Sequence, residues 1–201
     1  MGGAKISTKI KVIKNLLGKV DILMIGGAMA CIFLRAQGFA VGKSLIEEEN
    51  VGVAREILSS AMEKGTPIVL PIDCIVAQEF KEESPIETVY RSKIPPEWGI
   101  VDIGHVTVDE FSKILEGAQT ILWNGPVGIF EIDKFARGTE KIARILSTSK
   151  ATTIIGGGDS VAAVNKFALA DKMAYVSTGG GATLEFLSGR ELPSIAGLTN
   201  K

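Results

Sequence analysis

Histidine is nearly missing from this chain, with His105 the only one in 201 residues. A His-rich metal centre is therefore excluded, and a Ser–His or Cys–His nucleophilic pair would have to rest on that one imidazole. His105 falls between Gly104 and Val106 in a stretch that reads as loop, and no chemical role is assigned to it. Cysteine is almost as scarce. Cys31 and Cys74 lie far apart in apolar surroundings with no CxxC, which predicts two buried reduced thiols rather than a disulfide or a metal ligand. Charge of one sign is lacking too, since 22 Lys and Arg offset 23 Asp and Glu, so nothing global points to nucleic acid. Long apolar runs are absent: the uncharged stretch at residues 22–34 is broken by Gly26-Gly27 and is too short to span a bilayer. In the opening "MGGAKIS", Ile6 stands where a myristoylation signal needs Ser or Thr. The expectation is a cytoplasmic protein without membrane association.

What is present is an ordinary globular composition, 46% hydrophobic and 22% charged, on a length suited to one large domain. The hydrophobic period switches repeatedly between strand and helix. "STKIKVIKNLLGKV" reads as a helix with Ser7 as N-cap and Gly18 near its end, "DILMIGG" as a short buried strand, and "AMACIFLRAQG" as a helix closed at Gly38. "ENVGVAREILSSAMEKG" is a longer helix stopped at Lys64-Gly65, and "PIVLP" and "DCIVAQEF" read as strands. Pro85, Pro95, Pro96 and Gly99 then interrupt residues 81–104, where "ETVYRS" is at most an edge strand in an irregular excursion. Beyond it the rhythm resumes through "TVDEFSKILEGA", "QTILW", "DKFARGTEKIARILSTS", "TTIIGG", "DSVAAVNKFALA", "KMAYVS" and "GATLEFLSG". Strand followed by helix through short loops predicts an α/β fold in three layers, a parallel sheet with helices on both faces. Ligands of such sheets bind at the carboxyl ends of the strands. Four glycine-bearing loops should gather there: Gly26-Gly27, "NGPVG", "GGGDS" and "STGGG".

Two familiar glycine motifs do not fit these loops. A dinucleotide fingerprint needs glycine at its first, third and sixth positions, but Val161 and Leu184 occupy the sixth places after Gly156 and Gly179. "GFAVGKS" resembles a P-loop, yet three residues rather than four separate Gly38 from Gly42, and the segment before it reads as a helix ending. A glycine turn leading into a helix still presents free N–H groups and the positive end of the helix dipole to an anion. Asp159 in "GGGDS" could hold Mg²⁺, and the Ser160 hydroxyl could meet a phosphate oxygen. The alternative is a pair of tight turns in which Asp159 or Thr178 caps a helix. Two triplets on one edge, joined by Lys5 and Lys9, favour a phosphate site.

"GGAK…K", "WNGPVGIFE", "GGGDS" and "STGGGATLE", in this order over essentially the whole chain, resemble the phosphoglycerate kinase family, specifically its C-terminal, nucleotide-binding half. The ending "ELPSIAGLTNK" is similar to that family's C-terminus. The resemblance implies a Rossmann-like nucleotide-binding domain over residues 1–201. It also implies reversible phosphoryl transfer between 1,3-bisphosphoglycerate and ADP, giving 3-phosphoglycerate and ATP in glycolysis, with ATP or ADP and Mg²⁺ as cofactors. Lys5 and Lys9 would stabilise the transferring group and the nucleotide phosphates. Gly3, Ala4 and Gly27 would lie against the nucleotide, as would Asn124, Gly125, Pro126 and Val127, and Glu131 would hold the ribose hydroxyls. Gly157, Gly158 and Ser160 would stand at the phosphates, with Asp159 on the metal. Thr178, Gly179, Gly180 and Gly181 would face the group in flight. Such chemistry needs charge stabilisation rather than a histidine base. Thr8, Ala28 and Ile100 depart from the commonest family pattern, and Ala28 and Ile100 should narrow the cleft near the base. No Arg/Lys cluster suited to phosphoglycerate is visible, and the chain opens at "MGGAK" without a preceding apolar strand. It therefore reads as an excised, monomeric portion whose N-terminal, phosphoglycerate-binding domain is absent. The other reading is a non-catalytic nucleotide-binding module.

Overall fold

The computed structural model describes residues 1–192 and 196–197, and most of the family-like ending "ELPSIAGLTNK" lies outside them. It opens with α1 (Ile10–Leu16), β1 (Leu23–Met24), α2 (Gly27–Ala36), α3 (Val51–Glu63) and β2 (Ile68–Val69). β1 and β2 pair in parallel, Leu23 opposite Ile68 and Met24 opposite Val69. Successive strand residues point to opposite faces, and here that alternation sets the layering. Leu23 and Ile68 pack with Ile13, Phe33 and Ile57 of the first three helices. Met24 and Val69 pack into a second cluster built around Phe111, Trp123, Ile142 and Ile155. Helices thus cover both faces, which is the three-layer, Rossmann-like arrangement expected from the sequence.

The second cluster belongs to α4 (His105–Glu116), β6 (Thr120–Asn124), α5 (Arg137–Thr148), β7 (Thr152–Gly156), α6 (Gly158–Lys166) and β8 (Tyr175–Val176). β6, β7 and β8 form a parallel ladder in that order, and α7 (Gly180–Leu187) follows with none of its residues buried. Gly38 closes α2 as expected: its φ of 91° is a left-handed conformation that lets the Phe39 N–H return to the Leu34 carbonyl at 3.0 Å.

Three expectations change in the fold. The stretch 81–104 is not irregular throughout, because β3 (Asp73–Ala77), β4 (Ile86–Tyr90) and β5 (Gly99–Ile103) form an antiparallel sheet in the order β4-β3-β5. "ETVYRS" supplies its edge strand. β5 was hidden by Pro95 and Pro96, which precede the strand rather than interrupt it. Residues 78–85 make too short a connection for a parallel crossover, so β4 turns back on β3. Ser7 does not cap α1 either. Its amide and hydroxyl both engage the Glu47 carboxylate, at 2.9 and 2.5 Å, and the helix begins three residues later. His105, read as loop, is the first residue of α4.

Phe33 is fully buried within the first cluster. Phe33→Ala is expected to lower unfolding free energy by about 3–5 kcal/mol, the range for emptying an aromatic core site. Equilibrium urea denaturation checks this, and a loss near zero would mean the two clusters do not set the stability of the chain.

Candidate functional site

The parallel strands β1, β6, β7 and β8 each end in one of the glycine turns, and hydrogen bonds join these turns into one rim. The Gly2 and Gly3 N–H groups donate to the carbonyls of Asn124 and Pro126 at 2.9 and 2.8 Å. Gly27 donates to the Val127 carbonyl at 2.9 Å, and Met29 donates to that of Gly3 at 2.9 Å. The Asn124 side-chain amide donates to the Gly156 carbonyl at 2.8 Å. Ser160 completes the seam: its buried hydroxyl donates to the Gly156 carbonyl at 2.9 Å and accepts the Gly125 N–H at 2.5 Å. This differs from the expected use of that hydroxyl on a phosphate. The Gly125 amide, buried on that side, needs an acceptor, so Ser160 turns inward and offers an anion only its main-chain N–H. The turn after β8 joins the same rim, since the Ser177 N–H donates to the Ile155 carbonyl at 2.8 Å and Thr183 lies against Gly156.

The two helix starts are open. Gly157, with φ of 92°, is the N-cap of α6, and among the described residues no side chain caps that end. The first return bond is Val161 N–H to the Gly157 carbonyl, so the amides of Gly158, Asp159 and Ser160 precede the helical ladder. Gly179 opens α7, also without a side-chain cap. Asp159 and Thr178 are therefore not the capping residues that a purely structural account of the triplets requires. Among the described residues, a Cβ on Gly158, Gly180 or Gly181 would meet nothing within 4 Å. Gly180 has a positive φ of 37° that suits glycine, but Gly158 and Gly181 have neither a crowded Cβ position nor a positive φ. Glycine disfavours a helix by about 1 kcal/mol relative to alanine, and nothing inside the fold offsets that at these two positions.

The two lysines are placed differently. Lys9 is 9% exposed, and its ammonium donates to the carbonyls of Gly2 at 2.6 Å and Asn124 at 3.3 Å. Burial lowers its pKa to about 8, and the nearby Asp159 carboxylate opposes that shift. Lys5 is exposed, anchored through its carbonyl, which accepts the Thr8 hydroxyl at 3.0 Å. Among the described residues no cluster of three or more His, Cys, Asp or Glu side chains forms a metal cage, so Asp159 offers a single exposed carboxylate.

Beside the rim lies a cleft of about 260 Å³. Gly3, Ala4, Gly27, Pro126 and Val127 border it, with Glu131 and Asp159 as its exposed acids. Ala28 and Ile100 line it, where their side chains take up space as expected. The remaining wall is apolar, including Leu34, Leu45 and Phe80. These three carry no local sequence signal, because they come from separate elements and meet only in the folded chain. Cys31 and Cys74 line the inner wall as buried free thiols, as predicted. Burial pushes the Cys31 thiol up to about 12 and raises that of Cys74 as well, which leaves both inert.

Asp102 on β5 is the buried acid of the cleft, 1% exposed. Its carboxylate accepts the N–H of Ile103 at 2.9 Å and that of Gly138, in the first turn of α5, at 2.6 Å. A side chain on either Gly128 or Gly138 would collide with this carboxylate. Asp102 is thereby wedged between the cleft-forming turn and α5. Burial pushes its pKa up to about 7, although the Gly138 and Ile103 amides favour the charged form.

Parallel strands between two helical layers, with glycine turns at their carboxyl ends, place the chain in the Rossmann-like α/β class. Within that class the chain belongs to the phosphoglycerate kinase family, whose family model, described as "Phosphoglycerate kinase", matches residues 1–190. It is 52% identical over 201 residues to a phosphoglycerate kinase of Moorella thermoacetica, covering all of this chain and 51% of that protein. Among solved structures, the Coxiella burnetii phosphoglycerate kinase superimposes with a TM-score of 0.94 at 46% identity, over 97% of this chain and 50% of that one. The Pyrococcus horikoshii enzyme gives a TM-score of 0.84 at 32% identity, over 97% of this chain and 49% of that one. The chain spans about half the length of the curated relatives it matches.

The raised pKa of Asp102 has a signed consequence. Between about pH 4 and 7 the folded state holds a proton that the unfolded state has released, so this group's contribution to stability declines as pH rises. The expected decline is at most about 4 kcal/mol across that window. Urea midpoints of wild type and Asp102→Asn at several pH values check it: the variant should lack this slope, and parallel profiles would contradict the assignment.

Proposed function

We propose that this chain is the nucleotide-binding part of a phosphoglycerate kinase. It would serve the reversible transfer of a phosphoryl group between 1,3-bisphosphoglycerate and ADP, giving 3-phosphoglycerate and ATP. Its family membership supports the reading, and one observation carries it: an uncapped helix start, with glycine where no packing demands it, opening beside a cleft of suitable character. Unsatisfied helix amides and the helix dipole favour phosphate there.

In this reading the amides of Gly158, Asp159 and Ser160 receive phosphate oxygens, and Gly157 lets the backbone turn toward them. Lys9 supplies a fixed positive charge under the Gly2–Gly3 turn. Lys5, free to move, reaches the group being transferred, while the start of α7 from Thr178 to Gly181 faces that group from the other side. Gly3, Ala4, Gly27, Pro126 and Val127 lie against the nucleotide, with Asn124 and Gly125 supporting that wall from behind. Glu131 accepts the ribose hydroxyls. Asp159 fits Mg²⁺ as one ligand among phosphate and water oxygens, the mode in which that ion is commonly held, and the ion would neutralise phosphate charge. Phosphoryl transfer depends on positioning and charge stabilisation, and the attacking oxygen comes from the substrate. The acyl-phosphate partner would be brought by the half of the relatives' length that this chain does not span.

Gly158→Ala separates a ligand role from a structural one. Alanine suits the helix, so thermal stability should hold or rise, while MgADP affinity measured by calorimetry should fall at least about tenfold as the methyl obstructs the phosphate. Wild type giving no heat with MgADP would reject the proposal. Because proximity to the acyl phosphate requires the other half, this polypeptide alone should form no ATP in a coupled assay. Sustained ATP formation by pure chain would overturn that part.

A further inference from the structure

The Glu131 carboxylate is exposed at the cleft and, among the described residues, accepts no hydrogen bond. Its place is therefore set by its main chain. That turn is held by Lys166, the last residue of α6, whose ammonium donates to the carbonyls of Phe130 at 2.8 Å and Glu131 at 3.3 Å. The same ammonium pairs with the Asp133 carboxylate at 2.6 Å. Phe130 is anchored in the second apolar cluster, which gives the turn a fixed inner edge. Charge-assisted bonds of this kind are shorter and stronger than neutral ones, and three on one ammonium leave the turn little freedom.

We infer that Lys166 is a positioning residue for recognition of the ribose diol. By holding the Phe130 and Glu131 carbonyls, which lie on either side of the Glu131 Cα, it fixes where the Glu131 carboxylate stands. This rests on the reading above, in which Glu131 accepts the ribose hydroxyls. The geometry adds a coupling. One nine-residue helix offers phosphate amides at Gly158 and, from its far end, holds the residue that meets the sugar. The spacing between phosphate and sugar subsites is thereby tied to the length of α6.

The test compares affinities for MgADP and its 2′,3′-dideoxy analogue, since a general structural loss would weaken both alike. Wild type should prefer MgADP by about tenfold, the value of a charge-assisted contact partly repaid in water. Glu131→Gln should remove most of that preference. Lys166→Met should reduce it several-fold with a smaller effect on the dideoxy analogue, Lys166→Arg should restore part of it, and the double variant should be no worse than Glu131→Gln alone. Asp133→Asn, on an 83% exposed side chain, provides a mild version should Lys166→Met fold poorly, and it should show a smaller loss in the same direction. Unchanged selectivity in the Lys166 and Asp133 variants, or an equal loss for both ligands, overturns the inference while leaving the Glu131 reading intact. A wild type that binds both ligands equally overturns both.

Discussion

A buried ammonium between two backbone turns is the constraint on which the rim depends. Lys9 donates to the carbonyl of Gly2, in its own turn, and to that of Asn124, 115 residues further along the chain. An ammonium deprived of water must find acceptors, and these carbonyls supply them. The same contact brings the first turn against the loop after β6. From there the Gly3, Gly27 and Ser160 bonds follow, each joining one turn to the next. A side chain at Gly125 would strike both Gly2 and the Lys9 ammonium, so the close approach depends on glycine there.

Around that seam the buried acids take on architectural work. Asp73 on β3 accepts the amides of Val106 and Thr107 at 3.1 and 2.8 Å, at the start of α4. Asp102 on β5 does the same for Gly138 at the start of α5. A carboxyl oxygen at a helix N-terminus satisfies its free amides, and β3 and β5 each use one to fix a neighbouring helix. The start of α6 contrasts with these two. Among the described residues it receives no such carboxylate from another strand, and the acid of its first turn, Asp159, is exposed. Two helix starts are thus met by a carboxyl from a neighbouring strand, whereas those of α6 and α7 are left open at the glycine turns.

Much of this organisation was legible beforehand where the signal is local. The alternation of strand and helix, the stop at Gly38 and the four glycine turns after strands all depend on neighbouring residues, and the fold contains them. Ser7 looks like a cap from its neighbours alone, but it is taken by Glu47, a partner 40 residues away that no local pattern reveals. β5 is masked in the sequence because proline reads as an interruption, although Pro95 and Pro96 stand before the strand. Leu45, Phe80 and Lys166 carry no distinguishing spacing, and they reach the cleft or its supporting turn only through tertiary contacts.

By itself the sequence determined the class of fold and the family, because hydrophobic period and ordered glycine motifs are written along the chain and survive without knowledge of partners. Tertiary structure alone decided the direction in which polar groups face. Ser160 turned to the Gly125 amide, Lys9 sank beneath two carbonyls, and α6 was left uncapped, because hydrogen-bond demand is settled between segments distant in sequence. A motif names the residues that gather. Only the packed chain determines which of their atoms remain free.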